Sequence, residues 1–306
     1  MLLRAYTSLR VHDLRNSKNE PTWGVYGFVN TISYLTKRFE PSHMIVAFDK
    51  GRSKRRRELY PEYKANRERR RQQNLQKNLI NNPDSPDEFS PQRDMVYSLM
   101  DAANICYRMY EGVEADDIIA KISIDFADQF DEVVIVSLDH DMLQLIRQNV
   151  TVLKPSLGLS KNIKEEIIDY ESIVTKYKLT PEQLPELWSL MGDRSDGIKG
   201  AKGIGPAKSA KLMETYGSLQ NVLDNDEYIK TQKDSVELAY KLIKLDNQEE
   251  FPAVTMDDLK FDPTMPGDFK APRFKELLNQ LEFSTILQEW QNLLLWYKLK
   301  IGKKLL

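Results

Sequence analysis

An α/β fold, with a central parallel sheet flanked by helices, is what this 306-residue sequence predicts. Three observations predict it. A helical apolar pattern over residues 24–37 leads into the short apolar run Met44-Ile45-Val46-Ala47-Phe48-Asp49. The same order recurs where a helical stretch from Asp116 to Phe130 precedes Glu132-Val133-Val134-Ile135-Val136-Ser137. Both strand candidates are continuous apolar runs, as expected of parallel strands covered by helices on both faces.

The elements follow in order along the chain. Between Lys50 and Arg93 no core-forming pattern survives. An insertion of that length after a strand is longer than an ordinary connection, so it is a functional arm or a solvated loop. Residues 50–71 hold eleven Lys/Arg and three Glu, a local charge of +8, while the whole chain is −2. A basic arm on an acidic body results, and the total charge names no partner. A further helical stretch begins at Met142. After residue 180 the chain becomes helical, with Pro181–Met191, a turn-rich segment Gly192–Gly205, Pro206–Tyr216, and amphipathic stretches over 235–245 and 273–300. We therefore expect a core at 1–180 with the arm at about 50–93, and a helical region at 181–306 with a hairpin at about 192–216. There is no internal repeat.

Composition narrows the chemistry. The single cysteine, Cys106, excludes an internal disulfide and any multi-cysteine metal site. Of the three histidines, His12, His43 and His140, no two stand at metal-ligand spacing. Carboxylates, hydroxyls, Lys or Arg must carry any reaction. No run approaches the ~18 apolar residues of a membrane span, and the N-terminus has no signal-peptide pattern, so a cytoplasmic monomer is expected.

Eight acids fall at the ends of strands or on the helices beside them: Asp49, Glu114, Asp116, Asp117, Asp139, Asp141, Asp193 and Asp196. Taken singly, each group has an ordinary explanation, as helix caps, dipole partners or turn residues. Taken together they converge on the crevice at the strand C-termini, where like charges repel strongly unless a cation intervenes. Oxygen donors without His or Cys favour Mg²⁺ or Mn²⁺, and two such ions suit phosphoryl chemistry.

The segment Gly200-Ala201-Lys202-Gly203-Ile204-Gly205-Pro206 is the most specific signal. Glycines admit a phosphate close to the backbone, and Pro206 suits the first position of the helix whose amides face that anion. Lys199, Lys202 and Lys208 add charge. With Gly203 and Gly205 they look like a helix-hairpin-helix or helix-three-turn-helix element, of the kind that holds DNA through its backbone. The bland reading is a helix-to-helix turn with surface lysines. In the arm, Tyr63 is positioned to stack on an unpaired base, and Lys64 and Arg67 to meet phosphates near the metals.

These pieces, in order, resemble one family. Phe48-Asp49-Lys50, Tyr63-Lys64-Ala65-Asn66-Arg67, Gly112-Val113-Glu114-Ala115-Asp116-Asp117, Asp139-His140-Asp141, Gly192-Asp193-Arg194-Ser195-Asp196 and Gly203-Ile204-Gly205 resemble the 5′-nuclease domain of bacterial DNA polymerase I. They are equally similar to phage 5′–3′ exonucleases, cousins of flap endonucleases. The resemblance covers about residues 1–290, with Leu281-Glu282-Phe283 near its end, and it implies a stand-alone, phage-type form with a PIN-like core. It implies two or more Mg²⁺ or Mn²⁺ ions, Asp49, Glu114 and Asp116 serving chiefly one and Asp139, Asp141, Asp193 and Asp196 the other, with Asp117 bridging or nearby. It also implies catalytic roles for Lys64 and Arg67, a K⁺ ion at the hairpin, DNA with 5′ ends or flaps as substrate, RNA of RNA–DNA hybrids as a second one, and replication proteins as partners.

The family opens with a strand ending in Asp-Gly, followed by an Arg. Arg4 resembles that Arg and is expected to touch DNA, which puts the aspartate ahead of Met1. Two explanations stay open, an internal start or a protein without that strand and ligand. The second predicts unpaired backbone groups on neighbouring strands and weak or absent cleavage. Two other functions are weighed against the nuclease: a non-catalytic DNA-structure-binding protein, and a PIN-type ribonuclease, which would lack the glycine hairpin and the arm.

Overall fold

Helix α1 (Trp23–Phe39) buries one stripe, including Trp23, Val25, Phe28, Val29 and Ile32, and ends where Glu40 turns left-handed at φ 46°. Lys37 and Arg38 in its last turn complement the helix dipole. The computed structural model describes residues 14–67, 69, 72, 73, 90–155, 165–246, 249–261 and 271–291. The chain continues through β1 (Ile45–Ala47), α2 (Lys54–Leu59), α3 (Ser90–Ala102), β2 (Cys106–Arg108), α4 (Ala115–Phe126) and β3 (Val133–Val136). A 3₁₀ turn over His140–Leu145 leads to β4 (Val150–Lys154) and β5 (Glu166–Ile168). The remainder is mostly helical: α5 (Tyr170–Tyr177), α6 (Leu184–Met191), the short strands β6 (Gly192–Asp193) and β7 (Ile198–Lys199), then α7 (Pro206–Tyr216) and α8 (Leu219–Asn225). After these come α9 (Glu227–Lys230), α10 (Lys233–Ile243), α11 (Met256–Leu259) and α12 (Ala271–Gln280).

The parallel strands predicted from the apolar runs are present, in two groups. β1 pairs with β2 in parallel, Val46 opposite Tyr107. β3 pairs with β4 in parallel, and β5 adds an antiparallel edge. Among the described residues no strand joins β1 to β3. Between them lies a cavity of about 730 Å³, lined by Ile45–Ala47 on one side and Val133–Val136 on the other. Ile32 and Leu35 of α1 and Ile119 and Ile122 of α4 complete its apolar wall. Ser123, which also lines it, keeps a buried hydroxyl without a hydrogen-bond partner among the described residues. Asp49, Asp116 and Asp139 stand at the end of the cavity reached by the strand C-termini.

Among the described residues, two apolar cores hold the chain. One gathers Ile135, Val150 and Val152 of the sheet with Leu187, Trp188, Met213 and Ala239 of the later helices. The other gathers α1, β1 and α3 with Phe274, Leu277 and Trp290, so both ends of the described chain meet in it.

Some expectations change. The stretch from Met142 is a 3₁₀ turn that starts at His140, because the Asp139 side chain accepts the Asp141 amide and caps it there. The amphipathic run over 273–300 breaks after Gln280, where Glu282 adopts φ 60°. The arm's base is not a solvated charge run. Helix α2 lies within it and buries Arg56, while most of residues 68–89 lies outside the described residues. Arg4 lies outside them as well.

Candidate metal centre and nucleic-acid interface

The first turn of α4 presents the acids from 114 to 117 in different directions, because successive helical residues do not face one another. Asp49, just past β1, accepts the Ala115 amide at 2.8 Å and so caps this helix end. Asp116 faces Asp139 and Asp49. Burial first, then repulsion from Asp139, pushes its carboxyl up to about 8. Asp141, placed by the 3₁₀ turn after β3, is pushed up to about 7 by burial, then by Asp139, Asp193 and Asp196. The last two acids come from the end of β6, which carries Asp193, and from the loop to β7, which carries Asp196. Ligand oxygens of Asp141, Asp193 and Asp196 lie within 4.8 Å of one another. Burial also raises Asp196, against the pull of Lys64 and Arg67.

Cations enter this cluster from the arm. Lys64 Nζ lies 2.9 Å from Glu114 Oε2 and 3.5 Å from Asp196 Oδ2. The Lys64 backbone is left-handed, at φ 54°, and its amide donates to Asp196 O at 2.8 Å. Burial alone would lower the Lys64 ammonium, but Glu114 and Asp196 outweigh it and hold the group charged. Arg67 pairs with Asp196 and donates to Ser195 O at 3.3 Å. Glu114 stays ionised despite burial, because Lys64, Tyr63 and Arg56 all donate to it or attract it.

The structure therefore brings Asp49, Glu114, Asp116, Asp139, Asp141, Asp193, Asp196, Lys64 and Arg67 together, and it turns two predicted residues away. Asp117 is 1% exposed, and both its oxygens are held by the Arg56 guanidinium at 2.7 Å. With both oxygens engaged by the Arg56 fork, Asp117 joins neither the Asp139–His140–Asp141 nor the Asp141–Asp193–Asp196 group, so this geometry does not show the bridging role expected of it. Tyr63 is 2% exposed and donates its hydroxyl to Glu114 at 2.7 Å. Its ring has no face for a nucleobase, which corrects the stacking expectation. Sequence reasoning missed His140. One of its ring nitrogens, one carboxyl oxygen of Asp139 and one of Asp141 lie within 4.8 Å of one another, and its ring packs edge-on with Trp188 at 5.1 Å between centroids. The Asp-His-Asp triplet was the available signal.

The hairpin lies beside this cluster. Gly192 and Gly200 pack backbone to backbone, and a Cβ on Gly192 would sit 2.4 Å from Gly200 N. Gly203 is left-handed at φ 74°, and Gly205 has open space where a side chain would be. Lys208 Nζ donates to Gly203 O at 3.1 Å, and Tyr228 donates to Lys202 O at 2.7 Å. Lys199, Lys202 and Lys208 are exposed, with α7 presenting its N-terminal amides after Gly205.

Hard oxygen donors, crowded enough to hold Asp116 and Asp141 near neutral pKa, fit divalent cations by donor chemistry. No described helix is long and apolar enough to cross a membrane.

Comparison with known proteins agrees with this geometry. Residues 1–178 match the family model for the 5′-3′ exonuclease N-terminal resolvase-like domain, and residues 179–266 match that for its C-terminal SAM fold. A "5′-3′ exonuclease" from Aquifex aeolicus (strain VF5) is 30% identical over 284 residues, covering 90% of this chain and 88% of that protein. A "DNA polymerase I" from Caldicellulosiruptor bescii is 32% identical over 292 residues, 94% of this chain, which spans only 32% of that polymerase. Among solved structures, the T5 5′-exonuclease with bound zinc aligns with a TM-score of 0.60 at 23% identity, covering 83% of this chain and 90% of that one. The catalytic core of Rad2 in complex with DNA substrate gives 0.54 at 21% identity, covering 96% and 90%. At these identities the two structures speak to the fold, and the fold is shared.

Proposed function

Because this chain belongs to the 5′-3′ exonuclease family, we propose that it is a metal-dependent 5′-3′ exonuclease and flap endonuclease that hydrolyses phosphodiester bonds in DNA. One observation carries it: carboxylates from four separate segments meet beside Lys64 and Arg67, next to a lysine-bearing glycine hairpin. Asp141, Asp193 and Asp196 would hold one Mg²⁺ or Mn²⁺ ion, and Asp49, Asp116 and Asp139, with Glu114 behind them, a second. When bound, such ions lower the pKa of a water and offset charge on the leaving oxygen.

The chain's own residues do the rest. Lys64 and Arg67 enter from the arm on the side of Asp196, placed to meet the scissile phosphate and the charge that develops on it. Asp116 and Asp141, the two acids with raised pKa, hold protons that must leave before they can act as ligands. Glu114 keeps Lys64 charged and oriented. Lys199, Lys202 and Lys208, with the amides at the start of α7, hold the duplex backbone, and a K⁺ ion on hairpin carbonyls would add to that grip. The arm admits a single strand with a free 5′ end, and replication proteins are the expected partners.

A 5′-labelled flap incubated with and without Mg²⁺ tests this. Cleavage near the flap junction that requires the ion is expected, with loss of it in D141N and D193N. No cleavage with Mg²⁺ or Mn²⁺ would reject it. The alternative weighed from the sequence is binding of 5′-ended DNA without hydrolysis. Retained flap binding with no cleavage under either ion would select that reading.

A further inference from the structure

Helix α10 is bonded to both halves of this machinery. At its N-terminal end Ser235 Oγ donates to Lys199 O at 3.3 Å and Gly200 O at 3.1 Å, and Gln232 accepts the Lys202 amide at 2.5 Å. Those are hairpin backbone groups. At the other end, Leu242 O accepts from Arg56 Nε at 2.9 Å, and Ile243 O accepts from Gln144 Nε2 at 3.2 Å. The Gln144 carbonyl in turn accepts the Leu245 amide at 2.8 Å.

The last carbonyls of a helix are orphan acceptors that water satisfies at a surface. Here two buried side chains take them, and each belongs to a segment tied to the carboxylates. Arg56 is 2% exposed and grips Asp117 in the first turn of α4 through both amino groups. Gln144 is 8% exposed and lies in the 3₁₀ turn that starts beside Asp139 and Asp141. Burying a guanidinium costs several kcal/mol unless its donors are satisfied, and Arg56 satisfies them on two different elements. Eleven helical residues span about 16 Å, enough to join hairpin and carboxylates as one rigid piece.

We propose that α10 is a strut through which duplex held on the hairpin sets the position of the carboxylate-bearing segments, with Arg56 and Gln144 as the positioning residues at its far end. This rests on the nuclease reading for its substrate. Neither residue need touch DNA or metal; both act through α4 and the turn after β3.

Two measurements on the intact protein test it. The first compares single-turnover cleavage of a flap on a long duplex with cleavage of a 5′-ended substrate too short to reach the hairpin. Q144L should slow the long substrate about tenfold, leave its Kd and the short-substrate rate within about threefold, and add nothing to S235A at the opposite end. Equal losses on both substrates, losses in Kd alone, or additive effects with S235A would overturn the strut. The second follows amide hydrogen exchange. Long duplex should protect α4 and residues 140–145 in the wild type, and that protection should vanish in R56K and S235A while the hairpin stays protected. Protection confined to the hairpin in the wild type would also overturn it. Exchange is independent of cleavage, so a chain that binds duplex without cutting still decides the strut, and absent cleavage counts only against the nuclease reading. If R56K proves unfolded by circular dichroism, Q144L and S235A carry both measurements.

Discussion

Binding of divalent ions at neutral pH should expel protons from this protein, because burial and mutual repulsion raise the carboxyls of Asp116 and Asp141 into the neutral range. Asp116 is pushed up to about 8 and Asp141 to about 7. At pH 7 the first carboxyl is then about nine-tenths protonated and the second about half, while metal ligation needs both ionised. Saturation with Mg²⁺ or Mn²⁺ at pH 7 should therefore release on the order of one proton per chain, falling towards zero at pH 9. Isothermal titration calorimetry in buffers of different ionisation enthalpy reads this number as a slope. The same linkage makes metal affinity climb steeply between pH 6 and 8 and flatten above. The stability of the metal-free protein runs the other way. Both folded pKa values lie above the unfolded carboxylate value, so this contribution is full below about pH 4 and is lost as pH rises through 7 to 8. Divalent ions should restore it. A slope near zero at pH 7, with metal demonstrably bound, would mean that the acids are already ionised and are not crowded as described.

Further outcomes follow from single residues. D141N removes one of three carboxylates whose oxygens lie within 4.8 Å; Mn²⁺ binding followed by electron paramagnetic resonance should weaken by at least the ~10–100-fold that a supporting residue alone costs. G192A puts a Cβ 2.4 Å from Gly200 N on a backbone at φ 74°, and urea unfolding should show a loss of roughly 3 kcal/mol or more. Y63F leaves the buried Glu114 short of one donor and should cost about 1–3 kcal/mol of stability. Its affinity for single-stranded DNA, measured by fluorescence anisotropy, should not change; a loss there would reinstate base stacking. K202A should weaken duplex binding and lower the slope of log K against log salt by about 0.9, read from anisotropy titrations at several ionic strengths.

Much of the architecture could be read before any coordinates. Continuous apolar runs announced β1 and β3, and Pro206 with Gly217 marks both ends of α7. The acids were legible because their spacing within each motif is local. What escaped was long-range. Nothing near Arg56 distinguishes it from Arg55 or Arg57, since its partner Asp117 is brought to it by folding. Tyr63 looked like an exposed aromatic among cations, yet its hydroxyl reaches back to α4. Helix α3, with its polar sequence Ser-Pro-Gln-Arg-Asp, was hidden because only Gln92, Val96, Leu99, Met100 and Ala102 are buried. The break at Glu282 needed a left-handed residue that no Gly or Asn signalled.

The hollow between β1 and β3 has a consequence for how this molecule meets compression. Heat and urea act on every apolar surface alike, but hydrostatic pressure selects regions where matter is poorly packed, because occupying or collapsing them reduces the volume of the system. Space on the scale of 730 Å³ opens at the strand C-termini onto Asp49, Asp116 and Asp139, and the buried Ser123 hydroxyl gives water a further polar foothold deeper along it. Raised pressure should therefore hydrate and loosen the seam between the two strand pairs while the hairpin and α7 persist. The seam carries Asp49 and Asp139 on its two sides, so the spacing of the acids and the density of the interior beneath them are one mechanical quantity.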